Sequence, residues 1–191
     1  MDPTLTDALT APLTGTVTLR PVRPEDAASY CEAIWRSREQ VAPYEPRRPE
    51  HWYTPEFQAT RFADQLKLDN AVPWVLAEGD RVIGTATLTN IVHGAWRNGD
   101  IGYWVDVAEA GKGLATAALT EVCRLADEVL LLHRIAASTN HDNTRSQRVL
   151  QKCGFEQYGF APEYLHINGQ WRDSKLYHRI LNKRAPGEPP A

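Results

Sequence analysis

Residues 109–116 read EAGKGLAT and stand between an apolar run, residues 101–105 (IGYWV), and a helical pattern that begins at Leu114. Gly111 and Gly113 can adopt backbone angles closed to other residues and bring the chain close to a ligand. The backbone N–H groups that follow have no partner inside the helix, and the helix dipole stands behind them. A phosphate or pyrophosphate suits such a cradle, which Ala110, Gly111, Lys112, Gly113, Leu114, Ala115 and Thr116 would form. A glycine pair equally suits a plain tight strand-to-helix turn, so the ligand class has to come from elsewhere in the chain.

Two well-known phosphate loops fail here. No G-x-x-x-x-G-K-[ST] run occurs, which excludes a nucleotide-triphosphatase loop. A dinucleotide fingerprint would need Gly or Ala where Thr116 stands, and the strand after the helix ends on Asn140 where a ribose-binding acid is expected. Other chemistries are equally poorly supported. Cys31, Cys123 and Cys153 lie far apart on predicted helices without CxxC spacing, so they read as free thiols, and none has a local activating group for an acyl-enzyme. The six histidines show no H-E-x-x-H or paired ligand spacing, and His133 and His141 flank a strand and a loop, so no metal is expected.

The elements that must position the cradle can be read from periodicity. With 191 residues and 42% hydrophobic content the chain can bury one full core, so a single domain is expected over residues 1–183 with a Pro-rich tail at 184–191. No basic-flanked leader and no run of about 18 apolar residues is seen, which predicts a cytoplasmic protein without a membrane partner. A net charge of -3 argues against strong nucleic-acid binding. Residues 16–22 alternate as a strand, and a helix follows with Ala27, Tyr30, Cys31, Ile34 and Trp35 on one face, ended by Pro43. Residues 44–55 are too Pro-rich for regular structure and precede a second helix over residues 57–70. Strands at 74–78, 81–90 and 100–105 form a meander, the first two joined through Gly79-Asp80. The helix from Leu114 and a strand at 134–139 then complete a βαβ unit. Asn143 can cap a short helix over 144–153, closed by Gly154, and residues 156–167 and 170–182 form a hairpin through Asn168-Gly169.

This order of elements, with these motifs in these places, resembles the GNAT family of acetyl-coenzyme A-dependent N-acetyltransferases. The family's Q/R-x-x-G-x-G/A loop is matched at Ala110, Gly113 and Ala115, departing only at the first position. Its N-x-x-S motif followed by a helix and GF stands as Asn143, Ser146, Gly154 and Phe155. The strings PYEPRRPE (43–50), TNIVHGAW (89–96), HRIAA (133–137), NTRSQRVLQKCGFE (143–156) and NGQWRD (168–173) further resemble the RimJ-type branch, which acetylates the N-terminal alanine of ribosomal proteins. The resemblance implies a mixed α/β (α+β) fold. Its central, mostly antiparallel twisted sheet has six to seven strands, a splayed fourth and fifth strand, and about four flanking helices.

It also implies acetyl-coenzyme A as donor, met by the cradle, by the backbone of Tyr103, Trp104 and Val105 with Val107 just beyond, and by Asn143 and Ser146. The acceptor amine needs a base, for which Glu45 in the Pro-bracketed loop is the candidate. Ser146 is the candidate for meeting the leaving sulfur, with Tyr103 and Tyr158 as spare phenols. Trp52, Tyr53, Trp96 and Trp171 could wall a channel for an extended N-terminus. The expected partner is a protein N-terminus such as that of a ribosomal protein, with the enzyme a monomer or homodimer. A small-molecule amine acceptor, antibiotic or polyamine, and a non-catalytic acyl-coenzyme A-binding module remain as alternatives.

Overall fold

The structure, a computed structural model, describes residues 3–188. The chain runs α1 (Pro3–Ala8), β1 (Ala11–Pro12), β2 (Val17–Pro21), α2 (Ala27–Val41), α3 (Pro55–Gln65), β3 (Val72–Glu78), β4 (Arg81–Val92) and β5 (Asn98–Val105). It continues through α4 (Leu114–Glu128), β6 (Arg134–Asn140), α5 (Thr144–Lys152), β7 (Glu156–Ile167) and β8 (Gln170–Ile180). One sheet holds all eight strands in the order β1-β2-β3-β4-β5-β6-β8-β7. Among the described residues there are thus eight strands and five α-helices, against the six to seven and about four expected. The surplus comes from the first fifteen residues, which are too short and polar to show a period. Leu9, fully buried, anchors them by packing into the core and accepting a 2.9 Å hydrogen bond from the Trp74 indole.

The meander and the βαβ unit are present, and β2, β3, β4 and β5 pair antiparallel in sequence order. Alternate residues of the strands feed two cores, as the period of two requires. Val75, Ala77 and Val82 pack with Tyr30, Ile34 and Phe62 of α2 and α3. Trp74, Leu76 and Ile83 pack instead with Leu114, Leu119, Val122 and Leu125 of α4. Burying each such aliphatic side chain contributes about 1.5–3 kcal/mol, which makes the two faces the main source of stability. The Asn168-Gly169 turn has both residues at positive φ, 48° and 85°, the geometry that Asn-Gly favours in a two-residue hairpin.

Helix α3 is displaced from its expected span of 57–70. Pro55 occupies its first turn, where a missing N–H costs nothing, and the Thr54 hydroxyl accepts from Phe57 N–H at 3.4 Å. At the other end Lys67 and Leu68 bond back to Asp64 and Gln65 three residues earlier, so the chain tightens and leaves the α-helix.

The departure from a regular sheet lies at β5. Only Asn98, Gly99 and Asp100 pair with β6, in parallel with Arg134, Ile135 and Ala136. Beyond that point β5 stays with β4 as far as Val105, while β6 stays with β8 as far as Asn140. The sheet therefore splits between them.

Gly84 of β4 lies opposite Val105, and a Cβ built on it would stand 2.6 Å from the Trp104 carbonyl oxygen. Gly84→Ala should push β5 off its partner and destabilise the protein by about 1–3 kcal/mol in chemical denaturation. Gly102→Ala, whose Cβ meets nothing within 4 Å, should change stability by less than about 0.5 kcal/mol. Equal midpoints for the two variants would contradict the tight β4–β5 contact.

Candidate active site

Where the sheet splits, the backbone edges of residues 101–105 and 137–140 face one another without a ladder between them. They line a cleft of about 260 Å³ together with Asn143, which caps α5, and Ser146 and Leu150 of α5. An extended ligand carrying amides could add itself between such edges as a further strand. Thr139 Oγ1, buried at this cleft, has no hydrogen-bond partner, a second sign of an unfilled polar position.

At the end of β5 the chain turns into α4 through the cradle. Gly111 and Gly113 have φ of 81° and 78°, and a Cβ on either would project into open space. Gly113 is the N-cap of α4 and supplies no side-chain acceptor. The first N–H groups of a fifteen-residue helix are therefore left open. Helix α5 differs, because the Asn143 side chain accepts from Ser146 N–H at 3.1 Å and closes that helix's own N-terminus.

Two carboxylates hold the cradle. Glu109 binds Lys112 at 2.6 Å and Arg81 at 2.8 Å, and these two partners keep its carboxyl below the usual glutamate range. Asp106 has a fully buried side chain and accepts from Arg36 Nε–H and Nη2–H, Ala108 N–H and Ser37 Oγ–H. Burial alone would raise its pKa, but the guanidinium and the other donors outweigh it and the net direction is down.

A larger cavity of about 500 Å³ lies against α2 and α3, lined in part by Tyr30, Trp52, Arg61 and Phe62. The two cavities share Val41, Glu45, Gly102, Tyr103 and Trp104, so they meet across the unpaired part of β5. Glu45 stands at this seam. Its side chain is 47% exposed and lies 4.0 Å from Arg48. The surrounding walls dehydrate its carboxyl and raise its pKa, with Arg48 and Arg61 working in the opposite direction. The loop that carries Glu45 is fixed by Asn168 N–H to the Glu45 carbonyl at 3.0 Å and by Asn140 Nδ2–H to the Pro43 carbonyl at 3.3 Å. PYEPRRPE and NGQWRD, distant in sequence, thus form one wall.

Beside the seam the Tyr103 hydroxyl lies 3.0 Å from Ser146 Oγ and 3.2 Å from the Ser146 carbonyl. Burial pushes the Tyr103 phenol up to about 12, so it keeps its proton throughout the neutral range. Tyr103 and Ser146 form a hydroxyl pair at the cleft.

The structure brings Glu45, Tyr103, Trp104, Val105, Asn143 and Ser146 together around the cleft. Ala110, Gly111, Lys112, Gly113, Leu114, Ala115 and Thr116 form the turn at its end and line neither cavity. Val107 is also outside, and its N–H is taken by Ser37 Oγ at 3.0 Å. Tyr158 lies on β7, half exposed and stacked on His178 at 4.9 Å, so it is not a phenol of this site. Trp52 and Tyr53 line the larger cavity, whereas Trp96 and Trp171 are 58% and 62% exposed and line neither. The three cysteines are buried free thiols whose pKa values burial raises, Cys123 to about 12, which disfavours a thiolate nucleophile. Among the described residues no cluster of three His, Cys, Asp or Glu could hold a metal, and no helix is long and apolar enough to cross a membrane. Sequence reasoning missed Thr139, Asn140 and Arg61. The signal for the first two is a polar end to an apolar strand, and Arg61 carries none in the sequence.

Residues 16–156 match the family model described as an acetyltransferase (GNAT) domain. The chain is 35% identical to a Bacillus subtilis protein named "Probable N-acetyltransferase YjcK", over 87% of this chain and 94% of that one. It is 34% identical to the Escherichia coli "[Ribosomal protein uS5]-alanine N-acetyltransferase", over 91% and 92% of the two chains. The solved structure of Mycobacterium smegmatis RimJ in complex with CoA-disulfide superposes with a TM-score of 0.85 at 31% identity, covering 90% of this chain and 86% of that one. The chain belongs to the GNAT acetyltransferase family.

Gly113→Ala forces a side chain into left-handed backbone, at a cost of about 1–2 kcal/mol, and places a methyl group in the open space that an anion at this turn would approach through. Its affinity for coenzyme A, measured by calorimetry, should fall about tenfold or more while the protein remains folded; unchanged affinity would remove this turn from the site. Asp106→Asn should lower stability by about 1–3 kcal/mol at neutral pH. Because the folded pKa is depressed, the wild-type advantage is complete above the unfolded value of about 3.9 and drains as pH falls through the lower folded value. Denaturation curves from pH 7 to 2 should therefore converge for the two proteins at the acid end.

Proposed function

We propose that this acetyltransferase transfers the acetyl group of acetyl-coenzyme A to the N-terminal α-amine of a protein, alanine first, by direct attack with both substrates bound. One observation carries the reading: the split-sheet cleft and the larger cavity meet at residues 102–104, beside Glu45 on one side and the Tyr103–Ser146 pair on the other. A thioester held along the cleft would present its carbonyl carbon at that seam to an amine arriving from the larger cavity. The protein acceptor is supported by the names of relatives of similar length, among them the uS5-alanine enzyme, and a ribosomal protein is accordingly the leading acceptor.

The reaction forms a nitrogen–carbon bond and breaks a carbon–sulfur bond. One amine proton must leave and the departing thiolate must gain one. Glu45 accepts the first, directly or through a water. The Tyr103–Ser146 pair holds hydroxyl protons beside the sulfur, and Tyr103, still protonated at neutral pH, can hydrogen-bond the thiolate and relay a proton to it from Ser146 or solvent. The demand on the base is modest, because an α-amine has a pKa of about 8 against about 10.4 for lysine, a difference of roughly 3 kcal/mol in producing the neutral nucleophile.

Glu45→Gln should lower turnover by about 10²-fold near pH 7, with the loss shrinking as pH rises past about 8 and the amine deprotonates unaided. Normal turnover at pH 7 would return Glu45 to a plain partner of Arg48. Tyr103→Phe should cost more than Ser146→Ala, since the serine can be replaced by water more readily than the phenol. The acceptor class is tested by steady-state thiol release with three substrates: a peptide beginning with Ala, the same peptide N-terminally blocked but carrying an internal lysine, and an aminoglycoside. The first should be the fastest, and turnover of the aminoglycoside alone would overturn the reading.

A further inference from the structure

The larger cavity has an uneven charge. Four guanidiniums line it, from Arg38, Arg47, Arg48 and Arg61, against the single carboxylate of Glu45, a formal excess of three positive charges. Arg61 is the deepest of the four and lies among rings, with its guanidinium carbon 4.8 Å from the Phe62 ring centre, 5.5 Å from that of Tyr30 and 5.6 Å from that of Trp52. Its hydrogen bonds go to neutral amides, Gln58 Oε1 at 2.6 Å and Gln65 Oε1 at 3.2 Å. Arg48 also sits over the Trp52 ring, at 5.3 Å, and its one carboxylate is the distant contact with Glu45. Arg47 donates to Asn168 Oδ1 at 3.4 Å. Among the described residues neither Arg47 nor Arg61 has a carboxylate within salt-bridge range.

Guanidiniums taken from water are costly without anionic partners, and their planar fork fits a carboxylate bidentately. A peptide amine delivered to the seam at Glu45 would run its following residues along this arginine-lined wall. We propose that the acceptor carries an acidic side chain within its first few residues, and that the Arg48–Arg61 side of the cavity binds that carboxylate while the amine stands at Glu45. This proposal rests on the reading of a protein N-terminus as acceptor and adds its specificity. The same charge excess acts against polycationic acceptors such as polyamines and aminoglycosides.

The test uses the full-length enzyme, acetyl-coenzyme A and peptides that begin with Ala and differ at residue two, three or four by Glu, Gln or Lys. At one or more of these positions the Glu peptide should exceed its Gln counterpart about tenfold in kcat/KM, mostly through KM, with Lys slower still. Raising salt from about 50 to 500 mM should shrink the Glu-to-Gln ratio, as expected for a charge contact at the cavity mouth. Arg61→Gln and Arg48→Gln should each bring that ratio toward one; Arg48 is at the rim and 38% exposed, so its variant tests the proposal if the Arg61 variant folds poorly. A merely structural role would slow all the peptides alike and leave the ratio intact. Peptides that turn over equally whatever their charge, or both arginine variants keeping the full preference, would overturn the proposal while leaving N-terminal acetylation standing. Turnover of no free N-terminus at all would overturn both together.

Discussion

Everything in the site depends on one pairing that the sheet does not make. Beyond Asp100 the backbone of β5 parts from β6, while each strand keeps its antiparallel partner on the other side. An unpaired edge has to meet water or a ligand, and two such edges facing each other make a slot for an extended polar molecule. The slot keeps its shape because β5 is pinned at both ends. At the closed end the Arg97 carbonyl accepts from both His133 and Arg134 N–H groups, and Arg134 donates to the Asn98 side chain at 2.7 Å. At the open end Asp106 N–H donates to the Ile83 carbonyl at 2.9 Å and its carboxylate is tied to α2 through Arg36. The first set holds the two strands together where they pair, and the second ties the far end of β5 to β4 and α2, away from β6.

The same anchoring delivers the cradle. Asp106 fixes where β5 stops, the short turn after it leads to Glu109, and Glu109 orients Lys112 and Arg81 around the glycines. Ala110 lacks the side chain that the family motif usually carries, so the cradle presents backbone N–H groups plus one lysine already held by a neighbouring carboxylate.

Much of this was legible in the sequence where local rules act. The two glycines between a strand and a helix, the Asn143 cap and the Asn168-Gly169 turn all depend on residues a few positions apart, and each appears in the structure at its expected place. Glu45 could be chosen only by resemblance, since its environment is made by Asn168 and Asn140, far along the chain. Trp96, Trp171 and Tyr158 looked like site residues by type, and only tertiary placement moves them away. The N-terminal helix escaped because a six-residue segment has no measurable period and is held by a single buried leucine and an indole hydrogen bond. Arg61 was hidden for the opposite reason: in one dimension it is an ordinary helical arginine, and its meaning comes from the three rings around it.

The charge of the larger cavity also bears on how little base the proposed reaction needs. An ammonium ion entering beside four guanidiniums is disfavoured relative to the neutral amine, so the cavity itself lowers the amine's pKa in the direction that exposes the lone pair. Glu45, partly dehydrated and with its pKa raised, is a better proton acceptor than an ordinary surface carboxylate yet stays close enough to solvent to pass the proton on. An acidic side chain on the acceptor would neutralise one guanidinium and leave a positive excess, so recognition and deprotonation do not cancel. In the proposed reaction the arginines would hold the peptide by its acid and disfavour its ammonium form at the same time, leaving the remaining step to the half-exposed Glu45.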